Sequence, residues 1–447
     1  MRNLSGIIFI GTAVMLSPAM ADENPALDYS ITLSLESNEI DNLSLGDDSR
    51  VDKKTEKDYE LELALEYTVN DNLYFFLVAG LVDETETIKP VDEKDETSGL
   101  ERKEMGVGVY FGETIQSEFI LGRREFVSAS EWWIWWDEEL DAVSLDSSYG
   151  DFETLIGFAE EQWEESTDDD FVDPEIDGVQ RLITSLSWEF ADSHSLNFYY
   201  LDQNDKSGSH NIGDFEKFDE RDESDGDLSW SGVSYLGEFD FEVIGEIEIE
   251  LHYSEVRGDE TFYEFDDPDN GKSEVIEKGE ARVSASAESY LLSWTPARLE
   301  NWSFIVGGAR GEGDSNLDDK RDENYRQNDL QGDANVYGEL YQPEISNLVV
   351  QAYGIEWEAY DGVEVALMHY DYEQDERSDQ IADVSIEVDP TGLSRDLGKE
   401  VDLVVTIEAY DSLELIFIAA QFEAGKAYGE YEDETSNFLS FELNYEF

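Results

Sequence analysis

The last eleven residues, 437–447, read "NFLSFELNYEF". Leu439, Phe441, Leu443, Tyr445 and Phe447 take every second position, and Ser440, Glu442, Asn444 and Glu446 fill the gaps. A period of two puts the apolar set on one face of a strand and the polar set on the other. Chain ends are ordinarily frayed and polar, so an aromatic carboxyl terminus calls for a partner strand and apolar surroundings. A strand that closes a barrel in lipid has both, because no edge can be left unpaired in hydrocarbon. Glu442, Asn444 and Glu446 then face the lumen.

The same period runs back through the chain. Tyr29, Ile31, Leu33 and Leu35 alternate with polar residues, as do Tyr59, Leu61, Leu63, Leu65 and Tyr67. "RLITSLSWEF" (181–190), "VSASAESYLLSW" (283–294) and "GVEVALMHYDY" (362–372) behave alike. Short connections, "TVNDN" (68–72), "ADSHS" (191–195) and "EAYDSLE" (408–414), are interleaved with long acidic ones such as "EESTDDDFVDPEIDG" (164–178). The expected fold is all-β: a transmembrane antiparallel β-barrel of about 18 strands, with short periplasmic turns and long acidic extracellular loops. A soluble sandwich or propeller would carry the same alternation. The terminal Phe447, the unequal loops and the aromatic strand ends separate the two.

At the amino end, Arg2, the apolar run "GIIFIGTAVML" (6–16) and Ala19-Met20-Ala21 form a signal peptide, cleaved after residue 21. Residues 22–447 are expected to make one barrel in the outer membrane. No later stretch approaches the length of a membrane helix. The absence of cysteine excludes disulfides and thiol chemistry. With 28 basic against 110 acidic residues the net charge is −82, which excludes nucleic acid as a partner. An aromatic content of 13% sets the chain apart from a disordered polyanion.

Few constellations suggest chemistry. Trp132, Trp133, Trp135 and Trp136 in "SEWWIWWDEE" (130–139) read as an interfacial aromatic girdle, or alternatively as a stacking surface for sugar rings. "DDPDNGKSEVIE" (266–277) places Asp266, Asn270, Gly271 and Glu277 at calcium-loop offsets, but Pro268 takes a ligand position. The reading is therefore no metal site and no cofactor, with Ca²⁺ held loosely on acidic outer loops. His194, His210, His252 and His369 are scattered and no Gly-x-Ser-x-Gly occurs, so an enzyme is not expected.

Several stretches together resemble the alginate export porin family of bacterial outer membranes. "LGRREF" (121–126), "SEWW" (130–133) and "DEELDAV" (137–143) look like that family's Gly-Arg-Gln strand and the segment after it. "GGARGEG" (307–313), "YGELYQPEISNL" (337–348), "DLGKEVDLVVT" (396–406) and "GKAYG" (425–429) follow in the family's order. The resemblance implies an eighteen-stranded barrel, loops that gate its mouths, and a lumenal arginine ring that attracts a polyuronate. Arg123 and Arg310 match family arginines. Glu60, Glu104, Val336, Gln342 and Ile416 or Ile418 stand where the others would be. Alternation sends either Arg123 or Arg124 into the lumen, depending on whether Gly122 makes a bulge.

Two functions follow. One is passive export of an exopolysaccharide, alginate or a related polymer, guided by Arg123 or Arg124 and Arg310. The other is a diffusion porin preferring cations, supported by Glu60, Glu62 and Glu66 on one lumenal face. A structural or adhesive barrel is a third class. Expected partners are the polysaccharide chain, outer-membrane lipid and lipopolysaccharide, and the barrel assembly machinery through the Phe447 strand. The expected state is a monomer.

Overall fold

The computed structural model describes residues 26–447 apart from 47–51, 90–92, 128–136, 162–165, 168–177, 206–209, 218–220, 222–223, 267–271, 317–319, 329, 331–336, 383 and 411. Residues 1–21, read as a signal peptide, and the four tryptophans 132–136 lie outside the described residues.

Eighteen strands form the wall: β1 Ala26–Asp41, β2 Lys53–Asn70, β3 Leu73–Lys89, β4 Glu93–Phe111, β5 Gln116–Val127, β6 Asp137–Tyr149, β7 Phe152–Glu160, β8 Gln180–Ala191, β9 His194–Asn204, β10 Ser224–Phe241, β11 Gly245–Phe265, β12 Lys272–Thr295, β13 Trp302–Gly311, β14 Leu348–Tyr360, β15 Val363–Gln374, β16 Asp396–Tyr410, β17 Leu413–Ala424 and β18 Thr435–Glu446. Each pairs antiparallel with the next. The opening stretch closes the ring, since β18 pairs with β1 in the register Leu35↔Leu443 and Leu33↔Tyr445. Every wall strand therefore has two neighbours, as lipid requires. Two short segments, Phe215–Lys217 and Arg321–Asp322, add to β12 at its far end.

The connections differ in length as the sequence indicates. Asp71-Asn72, Gly150-Asp151, Asp192-Ser193 and Asp361-Gly362 turn the chain at one end, where β1 also begins and β18 ends. Residues 161–179, 205–223, 312–347 and 375–395 connect strands at the other. Outward positions carry the apolar set: Leu61, Phe75, Leu121, Phe158, Leu251, Leu367, Leu403 and Phe417 are exposed on the outer face. Rings crowd the short-turn end, where Phe152 stacks on Trp188 at 5.7 Å and Trp302 on Trp357 at 5.3 Å. Amphipathic rings of this kind settle at a membrane interface.

The core is inside the ring but off centre. Tyr325, Leu330, Tyr337, Leu340, Tyr341 and Ile345 of segment 312–347, with Ile386 of 375–395, are almost fully buried. They fold inward onto Tyr370, Tyr372, Phe422 and Ala424, the lumen-facing residues of β15 and β17. The lumenal residues of β1 to β3, such as Thr32, Glu62 and Phe76, stay half-exposed. The lumen is thus filled on one side and open on the other.

Candidate functional site

The inward segment is held by two carboxylates on β16. Glu400 Oε1 accepts the Leu340 N–H at 2.8 Å and Oε2 accepts the Tyr341 N–H at 2.9 Å. Asp402 Oδ2 accepts the Glu339 N–H at 3.1 Å. Gly338, with φ of +114°, brings the chain this close, for a Cβ there would lie 2.8 Å from the Glu400 carboxylate. Tyr372 donates its hydroxyl to the Tyr337 carbonyl at 2.5 Å. Tyr341 stacks on Phe422, and its hydroxyl lies 2.7 Å from that of Tyr428. Tyr428 belongs to the 3₁₀ turn Lys426–Tyr431. Burial pushes the Tyr341 and Tyr428 phenols up, so both stay neutral hydrogen-bonding groups.

The base of the segment is tied to β13. Arg310 donates to both oxygens of Asp375 at 2.8 and 3.0 Å, and Gly313 N–H donates to the same carboxylate. The Glu312 carbonyl accepts from the Tyr325 and Asn347 amides. Four of the stretches singled out in the sequence, around Gly311, Gly338, Glu400 and Tyr428, therefore meet in one structure. Their shared task here is to fasten a loop inside the barrel.

The candidate arginines divide three ways. Arg124 lines the lumen: it donates to Ser144 at 2.9 Å and Asp146 at 2.5 Å, and its guanidinium lies 5.1 Å from the Phe126 ring. Arg123, only 2% exposed, takes the opposite strand face and donates to Glu161 at 2.6 Å. Gly122 does have a positive φ of +144°, yet Arg124 and not Arg123 reaches the lumenal Ser144. Beside it, Arg102 grips both oxygens of Asp141, whose own N–H donates to Glu161. This buried set fills the seam where β4 leaves β5, since the two pair only from Met105↔Arg123 down to Phe111↔Ser117. Arg310 corrects the expectation of a lumenal cation. It shares the outward face of β13 with Val306, and its side chain, 47% exposed, is spent on Asp375.

The two acidic candidates are lumenal. Glu60 and Glu62 both hold Lys103, at 2.6 and 3.4 Å. Glu104, opposite Val78, lies near Arg124 and Glu139. Lys103 is the cation that sequence reasoning missed, because a register shift at Val78/Ala79 breaks the alternation there. Of the other aligned positions, Gln342 accepts from Ser385, Ile416 and Ile418 are buried, and Val336 lies outside the described residues. In the calcium-like loop, Asp266 accepts the Glu274 N–H at 2.6 Å, as a turn residue would, and 267–271 lie outside the described residues. Among the described residues no group of carboxylates and histidines is arranged to hold a metal.

Charge is sorted along the barrel axis. The strand stretches that enter and leave each short turn, 58–88, 104–122, 139–160, 182–204, 224–256, 283–309, 348–374 and 400–425, contain no Lys or Arg except Arg298, and β18 has none. Carboxylates face the lumen there: Glu66, Glu118, Glu248, Glu356, Glu364 and Glu442 all lie on polar-facing registers. In the other half, acids are met by bases, as in Arg326 with Glu260 and Asp322 at 3.0 and 2.6 Å.

Comparison with known proteins agrees with this architecture. A family model described as alginate export matches residues 69–442. The chain is similar in structure to the outer membrane protein OprD from Pseudomonas aeruginosa, at 10% identity and a TM-score of 0.55 over 96% of each chain. It is similar to OccK5 (OpdH) of the same organism, at 10% identity and a TM-score of 0.54, over 94% of this chain and 98% of that one. Acinetobacter baumannii OccAB4 is similar at 10% identity and 0.53, with the same coverage. At such identities the likeness is one of fold. No curated relative matches the chain.

Proposed function

The chain belongs to the alginate export family, and on that premise we propose that this outer-membrane channel is a passive, cation-preferring conduit for an exported polysaccharide that carries no net negative charge. Family and fold are those of a channel and not of an enzyme. The observation that carries the finer reading is the periplasmic half of the lumen, lined by carboxylates and free of Lys and Arg apart from Arg298. Carboxylates in a narrow, low-dielectric pore concentrate cations and repel anions. A polyuronate leaving the periplasm would meet that repulsion first. The cations of the outer half do not offset it, because Arg124 is held by Asp146 and Lys103 by Glu60 and Glu62.

The open lumen along β1 to β3 favours a second reading, free diffusion of small cationic and uncharged solutes. The reversal potential in a planar bilayer under a KCl gradient, followed by addition of polymannuronate, tests the proposal. Cation selectivity without block is the expected result. Anion selectivity with block by polymannuronate would overturn it.

A further inference from the structure

Three lumen-facing rings near the periplasmic mouth take no part in holding the inward loop. Tyr74 and Phe76 on β3 and Tyr110 on β4 share one patch of wall, with Tyr74 opposite Gly108 and Phe76 opposite Gly106. A side chain at either glycine would run into the ring across from it, at 2.7 Å for Phe76 Cζ, so both rings lie flat on the wall. Tyr74 is stacked with Tyr110 at 5.4 Å and 22°, and its centroid is 5.9 Å from that of Phe76. Tyr110 is 43% exposed. Lumenal rings elsewhere, such as Trp230, Tyr372 and Phe422, are covered by packing.

Carboxylates border the patch. Glu118 faces Tyr110 across β4 and β5 and accepts the Tyr74 hydroxyl. Glu66 faces Phe76 across β2 and β3, and Asp28 faces Glu66.

We propose that Tyr74, Phe76 and Tyr110 form a stacking platform for one ring of an uncharged pyranose chain as it enters from the periplasm, with Glu66 and Glu118 accepting hydrogen bonds from its hydroxyls. The inference rests on the reading of the protein as a polysaccharide channel and names the sugar class. A pyranose presents an apolar C–H face and a rim of hydroxyls. Flat rings match the face, at little entropic cost because Tyr and Phe have few torsions. Ionised carboxylates make strong hydrogen bonds to the rim. A uronate would place its own carboxylate against Glu66, Glu118 and Asp28 and be repelled.

The test uses the full-length protein in planar bilayers, with cellohexaose or a mannuronate hexamer added on the periplasmic side. Selectivity is read in the same membranes from the reversal potential. Cellohexaose should block the current reversibly and the mannuronate hexamer should not. Tyr110→Ala should raise the blocking Kd about tenfold, the worth of one aromatic contact. Tyr110→Leu keeps an apolar side chain without the flat ring and should weaken block in the same direction. Saturation transfer from the protein to cellohexaose in micelles reads the same contrast without a current. A cation-selective channel that cellohexaose neither blocks nor contacts would overturn this proposal and leave the channel reading standing. Equal block of wild type and both variants would also overturn it. Anion selectivity would instead overturn the reading on which it rests.

Discussion

Tyr341 lies flat on Phe422, ring centroids 4.4 Å apart and planes 3° from parallel. One residue belongs to the loop that enters the barrel and the other to its wall, so this stack pins the loop to the wall. Removing it by Tyr341→Ala should cost the loop's docked state about 3–5 kcal/mol, the usual loss for a buried ring. Single-channel conductance should rise. An unchanged conductance would show that the loop does not limit the pore.

Glu400 anchors the same loop through backbone amides. In Glu400→Leu the Leu340 and Tyr341 amides lose their acceptor, at about 1–3 kcal/mol for each buried donor left unpaired. Glu400→Gln keeps one acceptor oxygen and should lose less. Limited proteolysis within 312–347 should therefore speed up in the order wild type, Gln, Leu. Equal rates in all three would show that the carboxylate is dispensable.

The two neighbouring arginines should separate in kind. Glu161→Ala removes the carboxylate from buried Arg123, and breaking a buried pair from one side costs about 3–5 kcal/mol. The temperature at which the barrel unfolds should drop accordingly. Arg124→Gln breaks a pair whose side chains are still 20% and 31% exposed, and should lower that temperature less while making the pore more cation-selective. Similar effects on stability from both would contradict the placement of Arg123 in the seam.

Glu356, Glu364 and Glu442 belong to the lysine-free half of the lumen. Changing all three to Gln should move the reversal potential toward zero without closing the pore. A triple variant as selective as wild type would assign selectivity to the outer half.

Phe447 is 68% exposed, donates its N–H to the Ile31 carbonyl at 2.9 Å, and meets Tyr445 edge-on at 4.6 Å. Neither contact is large enough to matter much for stability. Deleting Phe447 should therefore lower the yield of assembled barrel in cells far more than it lowers the unfolding temperature of what does assemble. A matched fall in both would make the residue structural.

Alternation together with the unequal loops and the aromatic last strand made the barrel legible. The dyad in β18 and the contrast between "TVNDN" and the long acidic loops gave the closure, the facing and the two ends, because a lipid-facing strand has no other way to satisfy its backbone. The loop inside the barrel was not legible that way. Tyr341 and Leu340 are buried in a segment without regular period, and their partners Glu400 and Asp402 read as ordinary lumenal acids. The stretches "YGELYQPEISNL" and "DLGKEVDLVVT" did mark both sides of that contact, but nothing in either one says that they touch. The arginines were harder still. Arg123 and Arg124 differ by one residue, and the seam that buries the first depends on where β4 parts from β5, which is a property of three strands at once. Arg310 was misplaced because its match to a lumenal position carried no information about strand parity.

The sorting of charge along the axis makes the protein one-sided to trypsin, which cuts only after Lys and Arg. From the periplasm the sole such site within a turn is Arg298, followed by Leu299. From outside, Arg377, Arg395 and Lys426 are among many in or beside the loops. Trypsin added to intact cells would therefore leave Arg298 uncut, and trypsin admitted to the periplasm would add that cut, so the chain carries its own label for which way it points.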